Sequence, residues 1–186
     1  MNAAVMAKMM ARKGKPPSSV EIEASSIIHF LQNKNERNFI TTFAKGLVTS
    51  NKNIEFYLAL WRAIKTLDRK NHKIMQSILG MEIDLINILW VYRLKKFYGI
   101  WGDTTYSYLI PLRHRLATES LVQIVHCKNI GALQEVLNST VYSGVFGDFA
   151  DPEERLRQAV EKKYKTSGKT SHIALVCGYL YGLYRQ

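Results

Sequence analysis

An all-α fold is what this sequence predicts, on three observations. Proline and glycine are scarce between Val20 and Tyr98. Apolar residues in that stretch recur three and four positions apart, the period of an amphipathic helix, and strands have almost no support. The chain is also 47% hydrophobic over 186 residues, enough to build a sizeable core as one domain or two small ones.

The elements follow in order. Met1–Arg12 can form a short helix, but Gly14, Pro16, Pro17, Ser18 and Ser19 break it, so residues 1–19 are expected to be a mobile segment and linker. Residues 20–50 form a short helical region. Val20–Gln32 carries Ile22, Ile27, Ile28 and Leu31; Asn33–Asn35 interrupts; Glu36–Val48 resumes with Phe39, Ile40, Phe43 and Leu47. Residues 51–111 form a central helical unit. Asn53 is a plausible N-cap for Ile54–Leu67, Asp68 can cap the next helix, and that helix is expected to end where Gly80 follows Leu79.

Met81–Tyr98, closed by Gly99, is the strongest helix, about 25 Å long at the standard rise. Its apolar residues point in every direction around the axis, the mark of a central, buried helix. Trp101–Pro111 reads as a short helical or irregular crossover stopped by Pro111.

Residues 112–186 form a second, incomplete helical unit. Thr118 and Glu119 introduce Leu121–His126, Asn129 introduces Ile130–Leu137, and Gly144, Gly147 and Pro152 mark a long loop. Asp151, Pro152 and Glu154 combine a cap, a first-position proline and an early acid, opening Pro152–Tyr164. After Lys165–Lys169 comes a last apolar helix, His172–Tyr184, whose abrupt stop at Gln186 predicts a partner or a continuation, and so a fragment or shortened form.

Charge narrows the partners. The 26 Lys and Arg against 15 Asp and Glu give a formal +11, which favours an acidic partner: nucleic acid, an anionic membrane surface or an acidic protein. Cys127 and Cys177 lie in apolar helical patterns, not a metal-type pair, and are expected to be reduced thiols of a cytosolic protein. Met1–Arg12 lacks the features of a signal peptide. Leu85–Tyr92 and Ile173–Tyr184 are the longest strongly apolar stretches, short of the roughly 20 residues that a membrane span needs, so the chain itself is expected to be soluble.

Catalytic chemistry has little to stand on. Thr166–Thr170 (TSGKT) shares the end of a phosphate-binding loop, but its first glycine would fall at Lys163 and the segment follows a helix, so a solvated turn is expected. His29, His72, His114, His126 and His172 are scattered, without metal-binding spacing. Glu82 and Asp84, two residues apart on a helix, point to roughly opposite sides and cannot act as an acid–base pair. No catalytic residue, cofactor site or metal site is expected.

The polar residues of the strong helix carry more information. Asp84, Asn87, Ile88, Val91, Lys95 and Tyr98 share one side, with Glu82, Leu85, Leu89, Arg93 and Lys96 opposite. Burying Asp84 or Asn87 without partners would cost on the order of a few kcal/mol, so both should hydrogen-bond to a helix end or turn of a neighbouring segment and specify the fold. Arg93, Lys95 and Lys96, with Arg113, His114, Arg115 and the Lys162–Lys165 cluster, could form a basic surface. Nucleic-acid modules add exposed aromatics among such cations, whereas the aromatics here read as internal.

Four segments in register carry a family resemblance: Ile54–Asn71 (IEFYLALWRAIKTLDRKN), Gly80–Gly99 (GMEIDLINILWVYRLKKFYG), Tyr108–Pro111 (YLIP) and Leu137–Tyr142 (LNSTVY). They resemble the C subunit family of V-type and A-type rotary ATPases, called subunit d in eukaryotes, from Ile54 to Gln186. The resemblance implies a funnel of three similar helical units seated on the membrane rotor ring. It also implies a non-catalytic socket for the central stalk, with no active site of its own, in ATP-linked proton or sodium transport. The expected location is the cytoplasm, peripheral on the cytoplasmic face of a membrane through the ATPase complex. Glu82, Asp84, Asn87 and Arg93 match the hallmark helix and are assigned a structural role; Arg93, Lys95 and Lys96 are the candidate partner contacts. Residues 1–50 show no earlier copy of that helix, and none follows Tyr184, so the chain would supply a middle unit and part of a third. A basic helical nucleic-acid-binding module is the alternative.

Overall fold

The computed structural model describes residues 19–48, 54–147 and 149–184. The mobility expected of residues 1–18 and the cap expected of Asn53 fall outside them. The described residues are helical, with no strand among them: α1 (Ser19–Phe30), α2 (Lys34–Val48), α3 (Ile54–Ala63), α4 (Arg69–Tyr98), α5 (Thr118–His126), α6 (Ile130–Asn138), α7 (Pro152–Ser167) and α8 (His172–Tyr184), with 3₁₀ turns at Ile64–Thr66 and Gly102–Tyr108. The all-α prediction holds.

The local signals explain most of these boundaries. Asn33 Oδ1 accepts from Asn35 N at 2.9 Å and opens α2; Asp68 Oδ1 accepts from Lys70 N and Asn71 N at 2.9 and 3.1 Å and opens α4. Hydrogen bonds from Asn71 hold the Asp68 carboxyl below the usual carboxylate range. Asn129 caps α6 through Ala132 N, and Asp151 accepts from Glu154 N at 3.3 Å at the start of α7. Thr118 does not cap α5: the preceding residue, Ala117, is the N-cap, without a side-chain bond.

Gly80 does not end a helix. α4 runs through it for 30 residues, about 45 Å. The glycine answers a packing need instead, because a Cβ there would lie 2.4 Å from His114 Cγ and 2.5 Å from His114 Cβ. The uninterrupted α4 also corrects the membrane estimate: it is long and apolar enough to cross a membrane, although 67% of its most apolar window is buried within the protein.

The chain divides into two compact units, residues 1–76 with 161–186 and residues 77–160. These differ from the linear segments read in the sequence, because the last helix returns to the first ones. In the first unit, α2 packs against α1, α3 and α8, and α8 also packs against α1. The buried face of α2 is Phe39, Ile40, Phe43 and Leu47, the residues its periodicity selects; α8 buries Ile173, Ala174, Cys177, Leu180 and Tyr181. Burial pushes the Cys177 thiol well above its ordinary value. Ser171 Oγ donates to Asn71 Oδ1 at 2.6 Å and accepts from Ala174 N at 3.1 Å, tying the start of α8 to the first turn of α4.

In the second unit, α5 packs against α6 and the 3₁₀ turn Gly102–Tyr108. The loop after α6 buries Tyr142, Phe146 and Phe149. Phe149 adopts φ 57°, a left-handed conformation that costs energy in a bulky residue, while its ring stacks on Tyr92 at 4.2 Å and on Phe146 at 5.4 Å.

Candidate functional site

Three polar side chains of α4 hold three successive segments of the second unit. Asp84, Asn87 and Lys95 are all buried, and their spacings of three and eight keep them on one side of the helix. Each presents a chemistry that matches what it faces.

Asp84 meets only donors. Its Oδ1 accepts from His114 N at 3.0 Å, and its Oδ2 from Arg115 N at 2.7 Å, Leu116 N at 2.9 Å and the Tyr142 hydroxyl at 2.6 Å. Successive backbone N–H groups make an anion-binding concavity, so the turn at residues 114–116 closes around one carboxyl. Burial, together with the hydrogen bond and charge of Asp84, pushes the Tyr142 phenol well above its ordinary value, offset in part by Arg115.

Asn87 meets a donor and acceptors. Its Oδ1 accepts from Ile110 N at 2.9 Å, and its Nδ2 donates to Ile110 O at 3.0 Å and Leu112 O at 3.4 Å. The amide pairs with both backbone groups of Ile110, as a neighbouring strand would, and so fixes the extended segment around Pro111.

Lys95 meets only acceptors. Its Nζ donates to Val125 O at 2.7 Å and Cys127 O at 3.2 Å, at the C-terminus of α5, where a cation complements the helix dipole and the unpaired carbonyls. It also lies 4.1 Å from the Trp101 ring centroid. Burial lowers the Lys95 pKa, partly offset by Cys127, and burial raises that of the Cys127 thiol.

A pH dependence follows from Lys95. A lysine whose folded pKa lies below its unfolded pKa binds fewer protons folded than unfolded between the two values. Stability from this group therefore rises with pH across that interval, which ends at the ordinary ammonium value of 10.5. Relative to Lys95→Met, the native chain should gain stability from neutral to alkaline pH. Urea midpoints of both proteins measured in parallel across that range check the sign.

The other expected site residues sit differently. Glu82 is buried and Arg93 is partly exposed, its guanidinium paired with Glu153 and 5.8 Å from the Trp90 ring centroid. Lys96 is exposed, its Nζ 2.5 Å from the Tyr92 hydroxyl. Of the three candidate partner contacts, Lys95 is thus turned inward and Arg93 and Lys96 outward. The aromatics are not all internal as expected: Phe97 and Tyr98 are 65% and 67% exposed, and Trp101, Tyr106 and Tyr108 are also exposed. Tyr142 was not singled out as a ligand of Asp84; its place in the LNSTVY segment was the available signal. Among the described residues no group of three or more His, Cys, Asp or Glu could hold a metal ion.

Three of the four segments that carried the resemblance meet at this stripe: Gly80–Gly99 itself, Tyr108–Pro111 through Ile110, and Leu137–Tyr142 through Tyr142. A model of the family described as ATP synthase (C/AC39) subunit matches residues 53–183. Among curated proteins and among solved structures nothing matches the chain. With well over half its length matched, the chain belongs to the ATP synthase C/AC39 subunit family, a family of V/A-type ATPase subunits.

Proposed function

We propose that the chain is a non-catalytic coupling subunit of a rotary ATPase, joining the central stalk to the membrane rotor ring in ATP-linked proton or sodium transport, peripheral on the cytoplasmic face of the membrane. The family match over residues 53–183 carries this reading. The polar stripe supports it, because the buried charges of the hallmark helix face backbone and Tyr142 within their own unit and serve as structural anchors. Partner contact falls to the outward groups at the end of α4: Arg93, Lys96, Phe97 and Tyr98. Exposed aromatics and arginine are the residue types enriched where proteins meet.

Capture from detergent-solubilised membranes tests this. The tagged chain should retain rotor-ring and central-stalk subunits of the ATPase. A variant with Lys96→Glu, Phe97→Ser and Tyr98→Ser should recover about tenfold less, with Tyr98→Ser alone, which leaves the Lys96 and Phe97 contacts to Tyr92 in place, as the control for the fold. Absence of every rotary-ATPase subunit from the native capture would overturn the reading.

A further inference from the structure

The positive charge is confined to one unit. Among the described residues the first unit carries 12 Lys and Arg against 6 Asp and Glu, a net +6, whereas the second carries 8 against 8. Much of the excess gathers at one end of the first unit. Asn35 Nδ2 donates to Thr66 O at 2.9 Å, His172 Nε2 lies 3.1 Å from Glu36 Oε1, and Ser171 bonds Asn71. These bonds bring together the α1–α2 turn, the α3–α4 turn and the α7–α8 turn.

Those turns and the adjoining helix ends carry Lys34, Lys65, Arg69, Lys70, Lys165 and Lys169, all exposed and none in an ion pair among the described residues. Of the acids at the same end, Glu36 is buried beside His172, and Asp68 is exposed, its carboxylate accepting from the first turn of α4. Phe30, where α1 ends beside Lys34, is 83% exposed, more than any other large hydrophobic described. Leu31 O and Gln32 O accept from Arg37 at 2.7 and 2.9 Å, which holds the turn that presents it.

We infer that this end of the first unit is a membrane-surface anchor, in which the six cations face anionic lipid headgroups and Phe30 enters the interface. Clusters of four to eight Lys and Arg bind anionic leaflets, with attraction that falls off within a Debye length. A single projecting ring suits a surface that yields around it. A protein partner would need a matching pocket, and single-stranded nucleic acid a row of stacking aromatics. Phe30 and Lys34 lie outside the family match at residues 53–183, and the other five cations lie within it.

Flotation of the full chain with vesicles tests it. The protein should float with phosphatidylcholine vesicles that contain phosphatidylglycerol, not with phosphatidylcholine alone, and should be released by high salt. A variant with Lys65→Glu, Arg69→Glu and Lys70→Glu should bind about a hundredfold more weakly. All three side chains are exposed, and acids at positions 69 and 70, in the first turn of α4, suit the helix dipole, so this variant should keep its fold. Phe30→Ser should weaken binding about tenfold, leaving the melting temperature unchanged. Equal flotation with both vesicle types, no flotation, or variants that bind like the native chain would overturn the inference. So would binding to duplex DNA, without flotation, that the triple variant abolishes. Capture of rotary-ATPase subunits by the native chain reads the coupling role separately.

Discussion

Replacing Asp84 with alanine should lower stability by about 3–5 kcal/mol, because it strands the N–H groups of His114, Arg115 and Leu116 and the Tyr142 hydroxyl around one buried position. The cavity adds to that cost. Asp84→Asn should fall between, since its amide turns an NH₂ toward donors. Tyr142→Phe removes one bond and should cost about 1–2 kcal/mol. The Asp84→Ala and Tyr142→Phe variants remove the same hydrogen bond, so the double variant should lose less than the sum of the single ones. Urea unfolding followed by tryptophan fluorescence reads the four variants against the native chain, and an unchanged midpoint in Asp84→Ala would refute the anchor role.

Gly80→Ala should destabilise by about 1–3 kcal/mol, against the direction of helix propensity. Alanine is normally favoured over glycine in a helix interior by about 1 kcal/mol. Here the new methyl would meet the His114 ring, whose backbone N–H is held by Asp84 at 3.0 Å, so relief would have to come from the turn that Asp84 organises. The Gly80→Ala, His114→Gly double variant removes both the ring and the Cβ that lies 2.5 Å away, and should recover most of the loss relative to His114→Gly alone. A stabilised Gly80→Ala single variant would mean that the ring moves aside freely.

Both predictions turn on how far local sequence reaches. The α2 face Phe39, Ile40, Phe43 and Leu47, the caps at Asp68, Asn129 and Asp151, and the burial need of Asp84 and Asn87 are set by residues a few positions apart, and all were legible. Gly80 was not. A glycine after Leu79 has the form of a helix terminator, and the ring that requires it comes from His114, far along the chain. Lys95 shares the Asp84 side of α4, but a lysine in a last turn normally faces solvent; the α5 carbonyls that draw it in are set by tertiary packing. Phe97 and Tyr98 read as internal because the helix is apolar all round, yet its final turn presents them to solvent. The return of α8 onto α1 and α2 had no local signature, so the linear segments could not give the two units.

ATP-driven ion uptake by membrane vesicles from cells lacking this chain tests the coupling claim most directly. The account predicts that uptake is lost while the soluble catalytic head continues to hydrolyse ATP, and that adding back the native chain restores uptake. Uptake that is undiminished in the absence of the chain would contradict it.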